Sequence, residues 1–192
     1  MKICLGVPNG GRVHARLLTD LIRTVMSVPG ASWILCAPEG SIGPHNRWIC
    51  GMTAIEQGCD YLWLVDNDMG IPANALPALL AHKKDLVGAA YNYRGLPVRS
   101  VVKTLDESGT IIIPDHLPTV PFSCHAIGSG CKLVTTAALK RIPQPWFALT
   151  WNEMGCLSKT DDVWFCEQAK SVGIETWCDP TLDVKHIGDF QY

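Results

Sequence analysis

Three places in the sequence carry side chains whose chemistry and spacing go beyond building a core: Asp66-Asn67-Asp68, Thr160-Asp161-Asp162 and His186. The first follows the apolar run Tyr61 to Val65. In an extended step, side chains two apart point the same way, so Asp66 and Asp68 are expected to project together while Asn67 faces the other side. Two carboxylates aimed at one point suit a hard divalent cation such as Mg²⁺ or Mn²⁺, which commonly combines one or two carboxylates with phosphate oxygens. The triplet also reads as a plain turn after a strand, because Asn and Asp are common turn residues. In the second place, two acids open an apolar helical pattern. The helix dipole holds a carboxylate there ionised, which suits a general base, although acids in a first turn favour the helix in any case. His186 closes the last apolar run, with Asp183 and Lys185 beside it. Its imidazole can complete a metal site with Asp66 and Asp68, or be satisfied by a backbone hydrogen bond like many histidines.

These residues depend on the elements that carry them. Strand-like apolar runs alternate with helix-length segments, which predicts an α/β fold with a mostly parallel, Rossmann-like central sheet flanked by helices. Ile3 to Val7 reads as the first strand, followed by the Pro8-Asn9-Gly10-Gly11 turn and a helix whose apolar face is Val13, Leu17, Leu18, Leu21 and Ile22. Ser32 to Cys36 is the second strand, Met52 to Gly58 marks a short helix, and Tyr61 to Val65 is a buried central strand. The acidic triplet therefore sits at the carboxyl end of a strand, where open α/β sheets bind their ligands. Leu76, Leu79 and Leu80 give a helical face, and Leu86 to Tyr91 the next strand. Residues 92–121 read as hairpins and loops, and Ala126 to Val134 as a strand preceded by Gly128-Ser129-Gly130. Thr135 or Thr136 caps a helix through Leu139. Residues 142–158 read as a loop in which Trp146 and Trp151 either stack on a sugar ring or serve as a core anchor and a surface residue. Thr160 caps a helix through Ser171 that Gly173 ends, and Thr176 to Cys178 and Leu182 to His186 are the last strands.

The chain has 192 residues, 47% hydrophobic and 18% charged, which predicts a single domain over 1–192. A net charge of −2 supplies no global positive field, so binding to nucleic acid through phosphate contacts is not expected. Nine cysteines without a C-x-x-C pair read as reduced core thiols. No run approaches the ~18 apolar residues of a membrane span, and the short apolar run at the N-terminus does not make a secretory leader, so a cytoplasmic protein is expected.

The order YLWLVDNDM, an IPANAL helix, Gly128-Ser129-Gly130, TDDVWFCEQA and DPTLDVKHIG resembles the nucleotide-sugar-dependent glycosyltransferases of the GT-A fold. The resemblance runs from the first strand to His186 and implies that Asp66-Asn67-Asp68 is the D-x-D loop that holds the metal and the donor diphosphate, with Asp68 ahead of Asp66 as direct ligand. It makes His186 the C-terminal metal ligand and Asp162 the catalytic base of an inverting enzyme, with Asp161 standing where the family usually has Glu. Gly130 falls where the backbone approaches the acceptor sugar, and Pro8 at the edge of the nucleotide pocket. The family's A-R-N element reads His45-Asn46-Arg47 here, so Arg47 is either a contact to the nucleotide phosphates or a surface residue. The implied cofactor is Mn²⁺ or Mg²⁺, the implied donor a UDP- or GDP-linked sugar, and the implied partner an acceptor of unspecified nature. Two neighbouring readings are a nucleotidyltransferase, of whose Gly-rich basic loop Pro8-Asn9-Gly10-Gly11-Arg12 is a faint version, and a non-catalytic nucleotide- or carbohydrate-binding module.

Overall fold

The computed structural model describes residues 1–188. In chain order the elements are β1 (Lys2–Gly6), α1 (Ala15–Met26), β2 (Ser32–Cys36), α2 (Gly43–Glu56), β3 (Tyr61–Val65), β4 (Met69–Gly70), α3 (Ala75–Ala81), β5 (Leu86–Ala89), β6 (Thr104–Leu105), β7 (Ile111–Ile112), β8 (Phe122–Cys124), β9 (Cys131–Thr135), α4 (Thr136–Arg141), β10 (Thr150–Trp151), β11 (Leu157–Lys159), α5 (Asp161–Ser171), β12 (Thr176–Asp179) and β13 (Lys185–His186). Seven strands form one sheet in the order β2-β1-β3-β9-β5-β12-β8. β1 is parallel to β2 and β3, β5 is parallel to β12, and β9 runs antiparallel between β3 and β5. Five strands thus share one direction, as the α/β alternation requires, and β9 and β8 oppose them.

That arrangement decides where the chemistry gathers. The carboxyl ends of β1, β3 and β5 lie at one edge, and β9 starts there, because Val65 at the end of β3 pairs with Cys131 at the start of β9. Pro8, the acidic triplet, Tyr91-Asn92 and Gly128-Ser129-Gly130 are therefore brought to the same edge of the sheet.

The strands bury both faces by alternation. Cys4, Leu62, Leu64, Leu86 and Val134 pack with residues of α2, α4 and α5 on one face. Ile3, Leu5, Trp63, Val65 and Leu133 pack with α1 and α3 on the other. Trp146 belongs to the first layer and is 2% exposed, whereas Trp151 is 58% exposed, so the pair is a core anchor and a surface residue. Among the described residues, no helix is long and apolar enough to cross a membrane.

Several expectations are corrected. Helix α1 buries Leu17 and Leu21 but leaves Leu18 and Ile22 53% and 62% exposed, because its apolar face is wider than its contact with the sheet. Helix α2 begins at Gly43, with Pro44 in its first turn, well before the expected start near Met52. Its opening turns escape the apolar periodicity because their inward residues are polar: Asn46 is buried and donates to the carbonyls of Asn9 (3.1 Å) and Gly40 (3.0 Å). The expected strand Leu182 to His186 shrinks to Lys185–His186, which pairs antiparallel with the short β4. Residues 142–158, expected as a loop, include buried Trp146 and Phe147 and the β10–β11 hairpin. Thr135 caps α4 by accepting from the Ala138 amide, whereas Thr160 stands at the start of α5 without a side-chain cap bond. Gly173 ends α5 at φ +77°, a conformation that favours glycine.

Candidate functional site

A cavity of about 320 Å³ opens at the carboxyl edge and is lined by Pro8, Arg47, Asp66, Asn67, Asp68 and His186, together with Asn9, Gly10, Gly40, Ser41, Gly43 and Asn46. Larger cavities of about 590 and 620 Å³ lie around His125 and Glu175, and around Arg99 and Asp115, and neither brings two carboxylates together with a histidine.

The triplet is a turn rather than a continuation of β3, since the Met69 amide donates to the Asp66 carbonyl at 3.3 Å. The extended geometry expected of Asp66 and Asp68 is therefore absent, and all three residues line the cavity. Asn67 donates through Nδ2 to the Arg12 carbonyl and accepts the His14 amide on its own carbonyl at 3.0 Å, which ties the start of α1 to this loop. Both Asp66 oxygens accept from Arg47 Nη2 at 2.9 Å, and Arg47 Nη1 donates to Asp161 Oδ2 at 2.6 Å. Burial opposes the Arg47 charge, but Asp66, then Asp162 and Asp161, outweigh it and hold the guanidinium firmly charged. Arg47, expected either at the nucleotide phosphates or on the surface, is largely but not fully buried, and both its terminal nitrogens face carboxylates. Asp161 is pushed above the usual carboxylate range by burial, against the pull of Arg47.

Asp68 is paired with Arg94, which reaches it from the loop after β5 and stays half exposed. The chain brings His186 next to Asp68 by pairing β13 with β4: His186 stands opposite Met69, and the Ile187 amide donates to the Asp68 carbonyl at 2.6 Å. His186 Nδ1 lies 2.5 Å from the Asn92 carbonyl, so that nitrogen carries the proton and Nε2 keeps the lone pair. Burial lowers the His186 pKa, with Arg94 acting in the same direction, which favours the neutral ring that a metal ligand requires.

The donor set tests the fit of a divalent cation. Asp66, Asp68, Asp161 and Asp162 oppose three cations, Arg47, Arg94 and Lys132, so the cluster as a whole carries one formal negative charge in excess. Among the described residues, no three His, Cys, Asp or Glu side chains are grouped to hold a metal by themselves. The expected set of Asp66, Asp68 and His186 is not assembled, because Asp66 faces Arg47 with both oxygens. Asp68 and His186 remain, a pair that fits a cation whose other ligands are phosphate oxygens and water.

The remaining site residues lie behind the cavity. Asp162, in the first turn of α5, accepts from Ser129 on Oδ1, and Lys132 Nζ lies 3.9 Å from the same oxygen. Gly130 is buried: its amide donates to the Tyr91 hydroxyl at 2.8 Å and its carbonyl accepts the Asp66 amide at 3.3 Å. A Cβ on Gly130 would stand 2.7 Å from that hydroxyl and 2.9 Å from Met69 Sδ, so glycine makes room for the Tyr91 ring. Burial, then Asp162 and Asp66, raises Tyr91 well above its ordinary value and keeps it protonated. Sequence reasoning missed Tyr91, Arg94, Ser129 and Lys132. Lys132 had a usable signal, a charge inside the apolar run Cys131 to Val134.

No family model matches the chain, and no curated protein matches it. Solved structures do. A197 from STIV shares 19% identity at a TM-score of 0.69, over 98% of this chain and 87% of that one. The nucleoside-diphosphate-sugar pyrophosphorylase from Vibrio cholerae RC9 shares 10% identity at a TM-score of 0.50, over 97% of this chain and 78% of that one. At these identities the likeness is one of fold.

Proposed function

We propose that this chain is a metal-dependent glycosyltransferase that moves a sugar from a nucleoside-diphosphate-sugar to an acceptor hydroxyl with inversion at the anomeric carbon. The observation that carries the reading is the meeting of Pro8, the Asp66-Asn67-Asp68 turn and His186 around one cavity, with Asp162 at the head of α5 behind its lining residue Arg47. The fold shared with a nucleoside-diphosphate-sugar pyrophosphorylase supports a nucleotide-linked substrate.

Asp68 and His186 are the residues that would hold Mn²⁺ or Mg²⁺, whose contribution is to neutralise charge on the diphosphate. The rest falls to the chain itself. The glycine-bearing loops at Gly10 and Gly40 and the start of α2 at Gly43 leave room for the nucleotide, and Asn46 fixes the two loops to each other. Asp162 accepts the proton of the acceptor hydroxyl while that oxygen bonds to the anomeric carbon and the bond to the diphosphate breaks. Inversion follows when Asp162 stands opposite the leaving group.

Calorimetric titration with UDP and GDP, with and without Mn²⁺, tests the donor site. Binding is expected to require both the metal and Asp68, and equal affinity in Asp68→Ala removes that residue from the site. Asp162→Asn is expected to lose about 10²- to 10⁴-fold in turnover with nucleotide binding intact.

The likeness to a pyrophosphorylase also favours a second reading, transfer of a nucleotidyl group. The products decide between them: nucleoside diphosphate released from a sugar donor supports glycosyl transfer, and pyrophosphate released from a nucleoside triphosphate supports the alternative.

A further inference from the structure

We propose that Lys132 and Ser129 are a positioning pair that fixes the carboxylate of Asp162 and leaves Oδ2 as the atom that takes the acceptor proton. The inference rests on the glycosyltransferase reading for the purpose of Asp162, but the contacts stand independently of it.

Lys132 is the second residue of β9, opposite Leu64 of β3 and Gly88 of β5, and has no exposed surface. An ammonium taken wholly out of water is costly unless a counter-charge and hydrogen bonds meet it. Three groups answer Lys132: Ser129 Oγ at 3.1 Å, Asp162 Oδ1 at 3.9 Å, and the face of Phe165 with its centroid 5.0 Å from Nζ. Two of them belong to α5, so the strand charge is aimed at the helix turn that carries Asp162.

The direction of the hydrogen bonds follows from the donors available. Lys132 can only donate, so Ser129 Oγ accepts from it, and the serine hydroxyl proton turns to Asp162 Oδ1. A lysine beside a serine is also the arrangement of an activated nucleophile. Ser129 is fully buried with its proton directed at a carboxylate, so it cannot attack a substrate. Oδ1 is thereby held by Ser129 and Lys132, whereas Oδ2 has no hydrogen-bond partner among the described residues, and the Asp162 side chain is 27% exposed. The other titratable groups around Asp162 are otherwise engaged: Arg47 of α2 bonds Asp66 and Asp161, and the neutral Tyr91 after β5 accepts from the Gly130 amide. Lys132 is the one cation in ion-pair contact with Asp162 among the described residues.

The test measures kcat, donor KM and nucleoside-diphosphate Kd for Lys132→Met and Ser129→Ala. Misaiming the base is expected to lower kcat about 10²-fold with donor KM and nucleotide Kd unchanged. A purely packing lysine would tolerate Met, so a folded Lys132→Met with wild-type kcat overturns the proposal. Where Lys132→Met does not fold, Ser129→Ala decides alone, and unchanged kcat in it is equally fatal. Thermal unfolding of Lys132→Met, Asp162→Asn and the double variant reads the pair without any substrate. Asp162→Asn strands a buried ammonium and lowers the Tm, and the double variant is expected to recover most of that loss; strictly additive losses overturn the pairing. Non-additive unfolding in a protein that turns over no sugar donor retains the Lys132–Asp162 coupling and rejects the glycosyltransferase reading.

Discussion

Arg47 and Asp161 stand 114 residues apart in the sequence, and their side chains meet at 2.6 Å. The same guanidinium grips Asp66 at 2.9 Å with its other nitrogen, so one side chain of α2 joins the end of β3 to the start of α5. The Asp66-Asn67-Asp68 turn and the helix that carries Asp162 are thereby tied to each other through one side chain.

Removing Arg47 leaves buried Asp161 and partly buried Asp66 without the cation they share. Arg47→Ala is expected to lower the unfolding free energy by about 3 kcal/mol, measured by urea denaturation. Arg47→Lys is expected to recover only part of this, because an ammonium is a point charge and cannot serve both carboxylates through a planar fork. A neutral Arg47→Ala would show that the bridge does not hold the two elements together.

Burial makes the folded-state pKa of Asp161 higher than the unfolded value of 3.8, so the folded chain binds that proton the more tightly. Its contribution to stability is therefore complete below pH 3.8 and is lost as the pH rises through the folded value. The unfolding free energy of the wild type minus that of Asp161→Asn is expected to shrink between pH 4 and pH 7. Parallel denaturant titrations at the two pH values read it, and a difference that grows with pH would mean that Arg47 outweighs burial.

Arg94 is paired with Asp68, so under the proposed reading it would compete with a cation there. Arg94→Ala is expected to tighten Mn²⁺ binding in the presence of nucleoside diphosphate by about 2- to 5-fold, the weight of a half-exposed ion pair of ~0.5–1 kcal/mol. Calorimetry with the metal as titrant measures it, and weaker binding would instead make Arg94 a contact to the diphosphate.

Gly130→Ala pushes a methyl against Tyr91 and Met69 and is expected to cost about 1–3 kcal/mol in stability. Gly10→Ala is the control, since nothing lies within 4 Å of a Cβ there, yet Gly10 lines the cavity. It is expected to leave the Tm unchanged and weaken nucleotide binding. Equal stability of the two variants would contradict the packing around Tyr91.

The sequence by itself determined the run of apolar strands and the placement of Asp66 to Asp68 at a strand's carboxyl end and of Asp161 and Asp162 at a helix start. These features are local: burial periodicity, turn chemistry and capping act over a few residues, and each leaves its mark in the residues concerned. The polar opening of α2 already escaped that reasoning, because Asn46 and Arg47 face inward to meet partners rather than to exclude water. Only the tertiary structure decided which charges meet. It set Arg47 between Asp66 and Asp161, Arg94 on Asp68, and Lys132 behind Asp162, and it moved His186 to the cavity by pairing β13 with β4. Such pairings join distant segments through the strand order, and a side chain's own sequence neighbours carry no trace of the opposite charge that will stand beside it.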